Sequence, residues 1–420
     1  MRYKIETERA DLFDVGMVIT MSVDAVFSEV PSDEKIQKAF ALAIRSHEVL
    51  NTKVVIDPDG KAFYEPCEKP GSTISPTTKN LEHCISENEG RRFHIDEGEY
   101  IRAYYLFTPG KNTFIFQMHH LGGDGKSLLY FIESFFFALS GNEDLDKIPF
   151  KNTTTEDLPK NSKMPFFYKI LIRRYNKMWE KDPDRRVFTF DDMQKAYEKF
   201  WNINRTAFSE ETIEGEEFDA LLQEAHESRA SITALLTAKI VGGHLGRDMG
   251  EAFKEKANIG YAVDARELFP NRGMGNQATG ISIDYLYKED DSIAENARNI
   301  LRLLKKKLDH PKYRYFILHF MAAFDPTLVD AVCLEYTGVF HSKTSEKLRS
   351  LLGYDQEKTR DMSITNLTRA DIKDHYEGPE NTVDLKDLTF LPPIVSYAKN
   401  VFGIVTLGKR LSITRHTFKR

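Results

Sequence analysis

Residues 119–125 are His-His-Leu-Gly-Gly-Asp-Gly, and they concentrate the side chains best suited to chemistry in this chain. A histidine at the end of a buried strand can act as a general base, because imidazole titrates near neutral pH. The glycines allow a tight turn with positive φ and a close approach of the backbone. Asp124 lies close enough in sequence to orient this loop or to balance its charge. The run therefore predicts a loop that presents a histidine at an edge which a substrate can reach.

Regular elements on both sides must position this loop. Tyr100–Phe107 and Thr113–Met118 are two predicted strands, joined by a hairpin-like turn at residues 109–112. A helix is predicted from Lys126 to Leu139, because its apolar residues recur at helical spacing and Gly141 can end it. The phenylalanines of this helix are predicted to be core residues: Phe131, Phe135, Phe136 and Phe137.

The rest of the chain predicts two halves of the same mixed kind. In the first half, Met17–Val23 is a predicted strand, and Ser32 can cap a helix with acids in its first turn. Residues 141 to about 195 differ in composition, and we expect a linker or crossover there with one helix at Phe166–Trp179. The second half predicts these helices: Thr212–Ala225, Ala234–Leu245 and Ser292–Leu308. Its predicted strands include Ala257–Val263, Ser282–Tyr287, Val395–Ala398, Phe402–Thr406 and Leu411–Thr414.

Length and composition narrow the class of protein. At roughly 100–200 residues per domain, 420 residues allow two or three domains. Hydrophobic residues make up 41% and charged residues 29%, which excludes a disordered or collagen-like chain. The formal net charge of −6 makes nucleic acid a poor default partner.

The cysteines and the apolar segments predict a location. Cys67, Cys84 and Cys333 are sparse and form no C-x-x-C pair, which favours a reducing compartment over a disulfide framework. The first residues carry charges where a signal peptide needs an apolar stretch. The most apolar helical run, Leu128–Leu139, is shorter than the roughly 20 residues that span a bilayer, and it contains Glu133. We expect a soluble, cytoplasmic protein without a membrane span.

Other interpretations of the loop meet specific obstacles. Gly125-Lys126-Ser127 is similar to the end of a phosphate-binding P-loop, but that motif needs a glycine where this chain has His120. His119 and His120 are adjacent on a strand and point to opposite faces, so they cannot easily share a metal ion, and we predict none. The spacing of His119 and Asp124 also occurs in glycerolipid acyltransferases, but their membrane-facing segments and glycine-proline motif are missing from this sequence.

The run at 119–125 resembles the His-His-x-x-x-Asp-Gly signature of the coenzyme-A-dependent acyltransferase superfamily. That superfamily includes chloramphenicol acetyltransferase, alcohol acetyltransferases and the condensation domains of peptide synthetases. Segments throughout the chain add to the resemblance: residues 45–52, residues 91–103, Val263-Asp264-Ala265-Arg266 followed by Pro270 and Gly275-Asn276, and Ser363–Leu367. Thr368 stands where the family usually has glycine. The Asp-Phe-Gly-Trp-Gly box of the plant enzymes has no counterpart, so residues that contact the coenzyme cannot be carried over.

The resemblance implies a role for each matched residue. His120 would be the catalytic base, whereas His119 is expected to be a hydrogen-bonded packing residue. Asp124 would point away from the substrate and form an ion pair with Arg266 across the two halves, and Gly125 would keep the channel open. A further expectation concerns substrate binding: Thr365 and Asn366 lie on the strand that would border the channel, and both would help to stabilise the tetrahedral oxyanion.

The resemblance also implies an architecture. We expect an α/β, two-layer α+β protein in which two chloramphenicol-acetyltransferase-like subdomains form a pseudo-dimer with a channel between them. The predicted N-terminal subdomain is residues 1–155, the linker or crossover is 156–195, and the C-terminal subdomain is 196–420. We expect the second half to lend a strand or loop to the first.

The implied function is transfer of an acyl group, such as acetyl, from acyl-coenzyme A to an alcohol or an amine. Acyl-coenzyme A would be a co-substrate, and no permanently bound cofactor is expected. Two alternatives stay open: a free-standing condensation-type enzyme that takes its donor from an acyl carrier protein, and a non-catalytic binding module of the same fold. The expected partners are thus small molecules, with a carrier protein in the first alternative, and not nucleic acid.

Overall fold

The computed structural model describes residues 2–269, 272–354, 361–394 and 399–419. Two sequence features lie outside these described residues. One is the strand expected at Val395–Ala398, and the other is Pro270, which belongs to the matched segment in the second half. In the described part, no single helix combines the length and the apolar composition needed to cross a bilayer. The helices Phe316–Ala322 and Pro326–Tyr336 meet that test only as a pair, which is bent by 100°.

Groups of strands and groups of helices follow one another along the chain. The strands are β1 (Tyr3–Lys4), β2 (Val18–Phe27), β3 (Thr52–Ile56), β4 (Ala62–Pro66), β5 (Thr73–Pro76), β6 (Ile101–Thr108), β7 (Lys111–His119), β8 (Thr206–Glu214), β9 (Ala257–Asp264), β10 (Ala278–Tyr285), β11 (Met362–Arg369), β12 (His375–Glu377), β13 (Thr382–Leu391), β14 (Asn400–Leu407) and β15 (Arg410–Phe418). The helices are α1 (Asp33–Ser46), α2 (Leu81–Glu89), α3 (Gly125–Leu139), α4 (Phe166–Glu180), α5 (Phe190–Ile203), α6 (Gly215–Glu227), α7 (Ile232–Val241), α8 (Ile293–Leu308), α9 (Pro311–Arg314), α10 (Phe316–Ala322), α11 (Pro326–Tyr336) and α12 (Lys343–Leu351).

A six-stranded sheet in the order β12-β13-β2-β7-β6-β5 forms the centre of the first half. Its central strands β2, β7 and β6 are antiparallel neighbours, and β13 of the second half pairs with β2 along its length. The prediction that the second half contributes a strand to the first is therefore confirmed. A small sheet, β1-β4-β3, lies beside it in the same half.

A second six-stranded sheet in the order β10-β9-β11-β14-β15-β8 forms the centre of the other half. It is mixed, because β11 runs parallel to both β9 and β14 while the other pairs are antiparallel. Helices α6, α7 and α8 bury their apolar faces in the core of this sheet. Such a layer of helices on a sheet is a stable way to bury one face of each element.

Two large apolar cores lie among the described residues. One is built around the first sheet and also contains buried side chains of α10, α11 and β14, and the other is built around the second sheet. The core of the first half includes the inner faces of α1 and α3, and Phe131, Phe135 and Phe136 are fully buried there as predicted. Phe137 is half-buried at its edge.

The interval 156–195 contains two helical segments where one helix was expected. It holds α4 and the beginning of α5, and Trp179 and Phe188 are buried in the first core. The boundaries proposed for the two subdomains and the linker stay a prediction.

The segment expected to be a helix at Thr212–Ala225 is partly a strand. β8 occupies residues 206–214 and pairs with β15 along its whole length, from Thr206 opposite Phe418 to Glu214 opposite Arg410. Helix α6 begins only at Gly215. The hydrogen bonds of the sheet edge thus override the local helical pattern at residues 212–214.

Candidate active site

The loop at 119–125 begins where β7, an interior strand of the first sheet, ends. Residues 120–122 form one 3₁₀ turn, and Asp124 then caps α3 by accepting a hydrogen bond from the backbone N–H of Ser127 at 3.0 Å. Gly123 has φ +143°, and a Cβ there would lie 2.4 Å from Cβ of Ser127. The turn therefore requires glycine at this position, because a side chain would be both strained and blocked.

His119 points into the protein interior. Its side chain is buried, and Nδ1 accepts a hydrogen bond from the backbone N–H of Leu121 at 3.1 Å. Burial lowers the pKa of His119 to about 3, so the ring is neutral at physiological pH. Because Nδ1 is an acceptor, the proton of the neutral ring is assigned to Nε2. The structure thus places His119 as a hydrogen-bonded interior residue.

His120 faces the other way, as alternation along the strand predicts. Its backbone N–H donates to the carbonyl oxygen of Met17 at 2.9 Å, which fixes its position at the strand end. The side chain keeps 13% of its surface exposed, while Nδ1 is buried and has no hydrogen-bond partner within the described ranges. Nε2 is therefore the ring nitrogen that a substrate can reach.

Asp11 is the acidic group that faces His120. It lies on a 3₁₀ turn at Arg9–Leu12, and its Oδ2 is 3.9 Å from Nδ1 of His120. Asn276, from the second half, donates from Nδ2 to the same carboxylate oxygen at 2.7 Å. Burial raises the pKa of Asp11 to about 6, although the charge of His120 and the bond from Asn276 oppose that rise. The charge of a protonated His120 thus favours the ionised form of Asp11, and an ionised Asp11 in turn stabilises the protonated imidazole.

Glu8 is a second buried carboxyl near the same turn. The hydroxyl of Tyr64 donates to Oε1 of Glu8 at 2.7 Å and also lies 3.0 Å from the carbonyl oxygen of Leu121. Burial raises the pKa of Glu8 to about 8, against the effect of the Tyr64 hydrogen bond. Glu8 therefore holds a proton through most of the neutral range.

Asp124 and Arg266 form a bidentate ion pair between the two halves. The NH1 nitrogen of Arg266 lies 2.8 Å from Oδ2 of Asp124, and the NH2 nitrogen lies 2.7 Å from Oδ1. The backbone N–H of Gln277 also donates to Oδ2 of Asp124 at 3.0 Å. Burial alone would raise the pKa of Asp124, but Arg266 and these backbone donors hold it below its ordinary value. Asp124 therefore stays ionised and is a poor proton acceptor.

Ser127 adds a second connection at the same place. Its hydroxyl donates to the carbonyl oxygen of Gly275 at 2.9 Å and accepts from the backbone N–H of Gly275 at 3.1 Å. Gly125 meets the other half directly, since a Cβ at this position would lie 2.9 Å from a methyl group of Leu367 on β11. The first turn of α3 thus contacts the second half at two places, through Ser127 and through Gly125.

Thr365 and Asn366 lie half-buried on β11, just before Leu367. The amide of Asn366 already makes internal contacts: Nδ2 donates to the hydroxyl of Thr233 at 2.9 Å, and Oδ1 accepts from the backbone N–H of Thr368 at 2.6 Å. Thr368 itself has φ +59°, a conformation in which glycine would be unstrained. A role for Thr365 and Asn366 in substrate binding stays a prediction.

One group of possible metal ligands was found among the described residues, and it is already occupied by protein contacts. His94, Asp96 and Glu97 offer ligand atoms within 4.8 Å of one another. The guanidinium of Arg92, however, pairs with Asp96 at 2.7 Å and lies 3.0 Å from Nδ1 of His94. A cation at this place would compete with the charge of Arg92.

Asp11, Glu8 and Ser127 were not predicted as site residues from the sequence. A signal for the first two was present: Glu6, Glu8, Asp11 and Asp14 alternate with apolar residues within the first 15 positions, and Leu12 and Phe13 are fully buried. Acids interleaved with core residues must lie close to the interior, where they need partners.

No protein-family model matches the chain, and no curated protein sequence matches it. Solved structures do match it along nearly its whole length. The trichothecene 15-O-acetyltransferase TRI3 of Fusarium sporotrichioides superposes with a TM-score of 0.64 at 12% identity, covering 100% of this chain and 91% of that one. The condensation domain of the monacolin K polyketide synthase MokA gives 0.60 at 12% identity, covering 99% of this chain and 92% of that one.

Polyketide synthase associated protein 5 of Mycobacterium tuberculosis gives a TM-score of 0.59 at 13% identity, with coverage of 99% and 94%. At such low identity these matches show the fold. The chain has the fold of condensation domains and of the acetyltransferase TRI3. In this fold, two chloramphenicol-acetyltransferase-like subdomains form a pseudo-dimer. The expected fold class is confirmed.

Proposed function

We propose that this chain is an acyltransferase that moves an acyl group from acyl-coenzyme A to the hydroxyl of an alcohol or to an amine. One observation carries the proposal: Nδ1 of His120 is buried beside Asp11, so that Nε2 is the nitrogen left for the acceptor. A general base needs a lone pair that the acceptor can reach. The ion pair of Asp124 with Arg266 supports the proposal, because it holds the loop in place without taking part in proton transfer.

In the proposed reaction, Nε2 of His120 takes the proton of the acceptor O–H or N–H as that heteroatom attacks the thioester carbonyl carbon. The new C–O or C–N bond gives a tetrahedral oxyanion, and its collapse breaks the C–S bond. The thiolate of coenzyme A leaves and receives the proton from His120. The products are an ester or amide and free coenzyme A, and the enzyme returns to its starting protonation state.

Asp11 acts on this proton transfer through His120. While the imidazole holds the proton, a carboxylate 3.9 Å from Nδ1 lowers the energy of the positive ring. Asn276 keeps that carboxylate in place at 2.7 Å. Asp11 is therefore proposed as a positioning residue, and general-base catalysis by His120 supplies about 10²–10⁴-fold of the rate.

The three cysteines are free in this structure, which fits the cytoplasmic location that we propose.

The identity of the acyl donor needs the sharpest experiment. A screen for thiol release should present acyl-coenzyme A donors of several chain lengths together with pooled alcohols and amines. The same acyl groups should then be presented on an acyl carrier protein.

Acceptor-dependent release of coenzyme A would support the proposal. Transfer from the carrier thioester alone would mean that the chain catalyses a condensation-type reaction and does not use acyl-coenzyme A. Absence of transfer from both donors, with every acceptor pool, would contradict an acyltransferase.

A further inference from the structure

Helix α4 exposes large apolar side chains at its beginning. Phe166 keeps 71% of its surface exposed, Phe167 68% and Ile170 50%. Aromatic side chains of this size are usually buried or placed where an apolar environment meets water. Their grouping within one and a half turns makes this the feature that most needs an explanation on the described surface.

The exposed face does not result from a loosely docked helix, because the opposite face is firmly packed. The ring of Tyr168 lies 4.8 Å from that of Phe316, and Ile172 is fully buried. Further along, the indole N–H of the buried Trp179 donates to the hydroxyl of Thr327 at 2.8 Å. At 3.6 residues per turn, these inner positions and the exposed ones lie on opposite sides of α4. The exposed phenylalanines therefore cannot turn inward without undoing the inner face.

Positive charge surrounds this apolar end. Residues 158–179 contain no Asp or Glu, although the whole chain has a net charge of −6. The segment contains six cations, all exposed: Lys160, Lys163, Lys169, Arg173, Arg174 and Lys177. Within the described ranges, none of the six is within salt-bridge distance of a carboxylate; the neighbouring ion pairs begin at Arg185. The cationic charge of this surface is therefore available to an outside partner.

A cleft beside α4 continues the same chemistry. It has a volume of about 440 Å³ and lies between α4, the segment before it and α10. Lys163, Lys169 and Arg173 line it together with His319, and Met164 and Ile172 provide apolar wall. The hydroxyl of Ser162 lies 2.9 Å from Nε2 of His319, which ties the segment before α4 to α10. Cations above an apolar wall match a phosphate group that is attached to an acyl chain.

We propose that α4 and the preceding segment from Lys160 bind the surface of a bilayer that contains anionic phospholipid. Phe166, Phe167 and Ile170 enter the boundary between headgroups and acyl chains, and the six cations face lipid phosphates. The cleft beside Lys169 takes one lipid headgroup. This inference is independent of the proposed acyl transfer, since it uses none of the residues around His120.

Vesicle co-sedimentation of the full chain tests the proposal. The probes are vesicles of phosphatidylcholine alone and of phosphatidylcholine with phosphatidylglycerol, at low and high salt. We expect binding to the anionic vesicles, weaker binding to the neutral ones, and loss of binding as salt rises. Two variants address the two components separately: F166S/F167S removes the apolar contacts, and K169E/R173E reverses two cations. Each should lower the vesicle partition coefficient about tenfold or more.

Matched controls lie elsewhere on the surface. I203S removes an apolar side chain that is 81% exposed at the end of α5, and K305E/K306E reverses two exposed cations of α8. Both controls should bind like the parent chain, and the thermal midpoints of all variants should stay close to it. Absence of binding to anionic vesicles, or equal losses in the control variants, would overturn the proposal. Capture of an acidic protein by this surface without vesicle binding would also overturn it.

Discussion

Asp124 and Arg266 are 142 positions apart in the chain and meet in a bidentate ion pair, with nitrogen–oxygen distances of 2.7 and 2.8 Å. The pair joins the N-cap of α3 in one half to the 3₁₀ turn that follows β9 in the other. Its side chains are mostly buried, at 7% and 14% exposure. Each half of the fold thus supplies one partner of the contact next to the candidate base, His120.

Removal of one partner of this pair should destabilise the protein strongly. D124A leaves a mostly buried guanidinium unpaired, and we expect a loss of about 3–5 kcal/mol in the free energy of unfolding. Denaturant unfolding measures this loss. The double variant D124A/R266A should lose less than the sum of the two single variants, because neither charge is then left alone. Additive losses would mean that the pair does not couple the halves.

Asp11 should matter for turnover more than for substrate binding. D11N keeps the size of the side chain and the bond from Asn276 but removes the negative charge that faces the ring of His120. In the acyl-transfer assay we expect kcat to fall about 10–100-fold with little change in KM. E6Q is a suitable control, because Glu6 lies in the same segment but accepts its hydrogen bonds from Thr155 and Lys4. An unchanged kcat for D11N would remove Asp11 from the mechanism.

Glu8 should make the folded state less stable as pH rises. Its pKa is raised from an ordinary value of 4.5 to about 8, so the folded chain retains a proton that the unfolded chain has already released. Between these two pH values the unfolded state binds fewer protons, and the free energy of unfolding falls as pH increases. E8Q removes this contribution and should retain more of its stability above pH 8. Denaturant unfolding below pH 4.5 and above pH 8 measures the difference, with the exposed E82Q as control. A parallel pH dependence in E8Q and the parent would contradict the buried, protonated state of Glu8.

Thr368 should be a strained position. A β-branched residue at φ +59° is unfavourable, whereas glycine accepts this conformation freely. T368G should therefore be about 1 kcal/mol more stable than T368A. Both variants lack the threonine hydroxyl, but only T368A keeps a side chain at this strained backbone conformation. Thermal unfolding of the two variants provides the comparison. Equal stability would show that the strand bulge at residues 366–369 relaxes without cost.

The loop and its neighbours could be predicted from local pattern. Strand alternation before His119, helical spacing after Gly125 and the glycines between them are all encoded within about 40 residues. The partner of Asp124 was predictable because the resemblance pointed to Arg266. Asp11 was not predicted as its partner, because it reaches His120 only after the chain between them has folded; the acids interleaved with core residues indicate burial but do not indicate which residue they face. β8 was missed for a related reason: its pairing with β15 is decided at the far end of the chain.

The most direct test of the proposed chemistry is the turnover of H120A with acyl-coenzyme A and an accepted alcohol or amine. Since Nε2 of His120 is proposed to take the acceptor proton, kcat should fall at least about 10²-fold. The thermal midpoint should change little, because the buried Nδ1 of His120 makes no hydrogen bond in the described structure. H310A, a histidine on the surface of the second half, serves as the matched control and should retain full turnover. Turnover by H120A equal to that of the parent, in a preparation whose parent enzyme is active, would contradict the account.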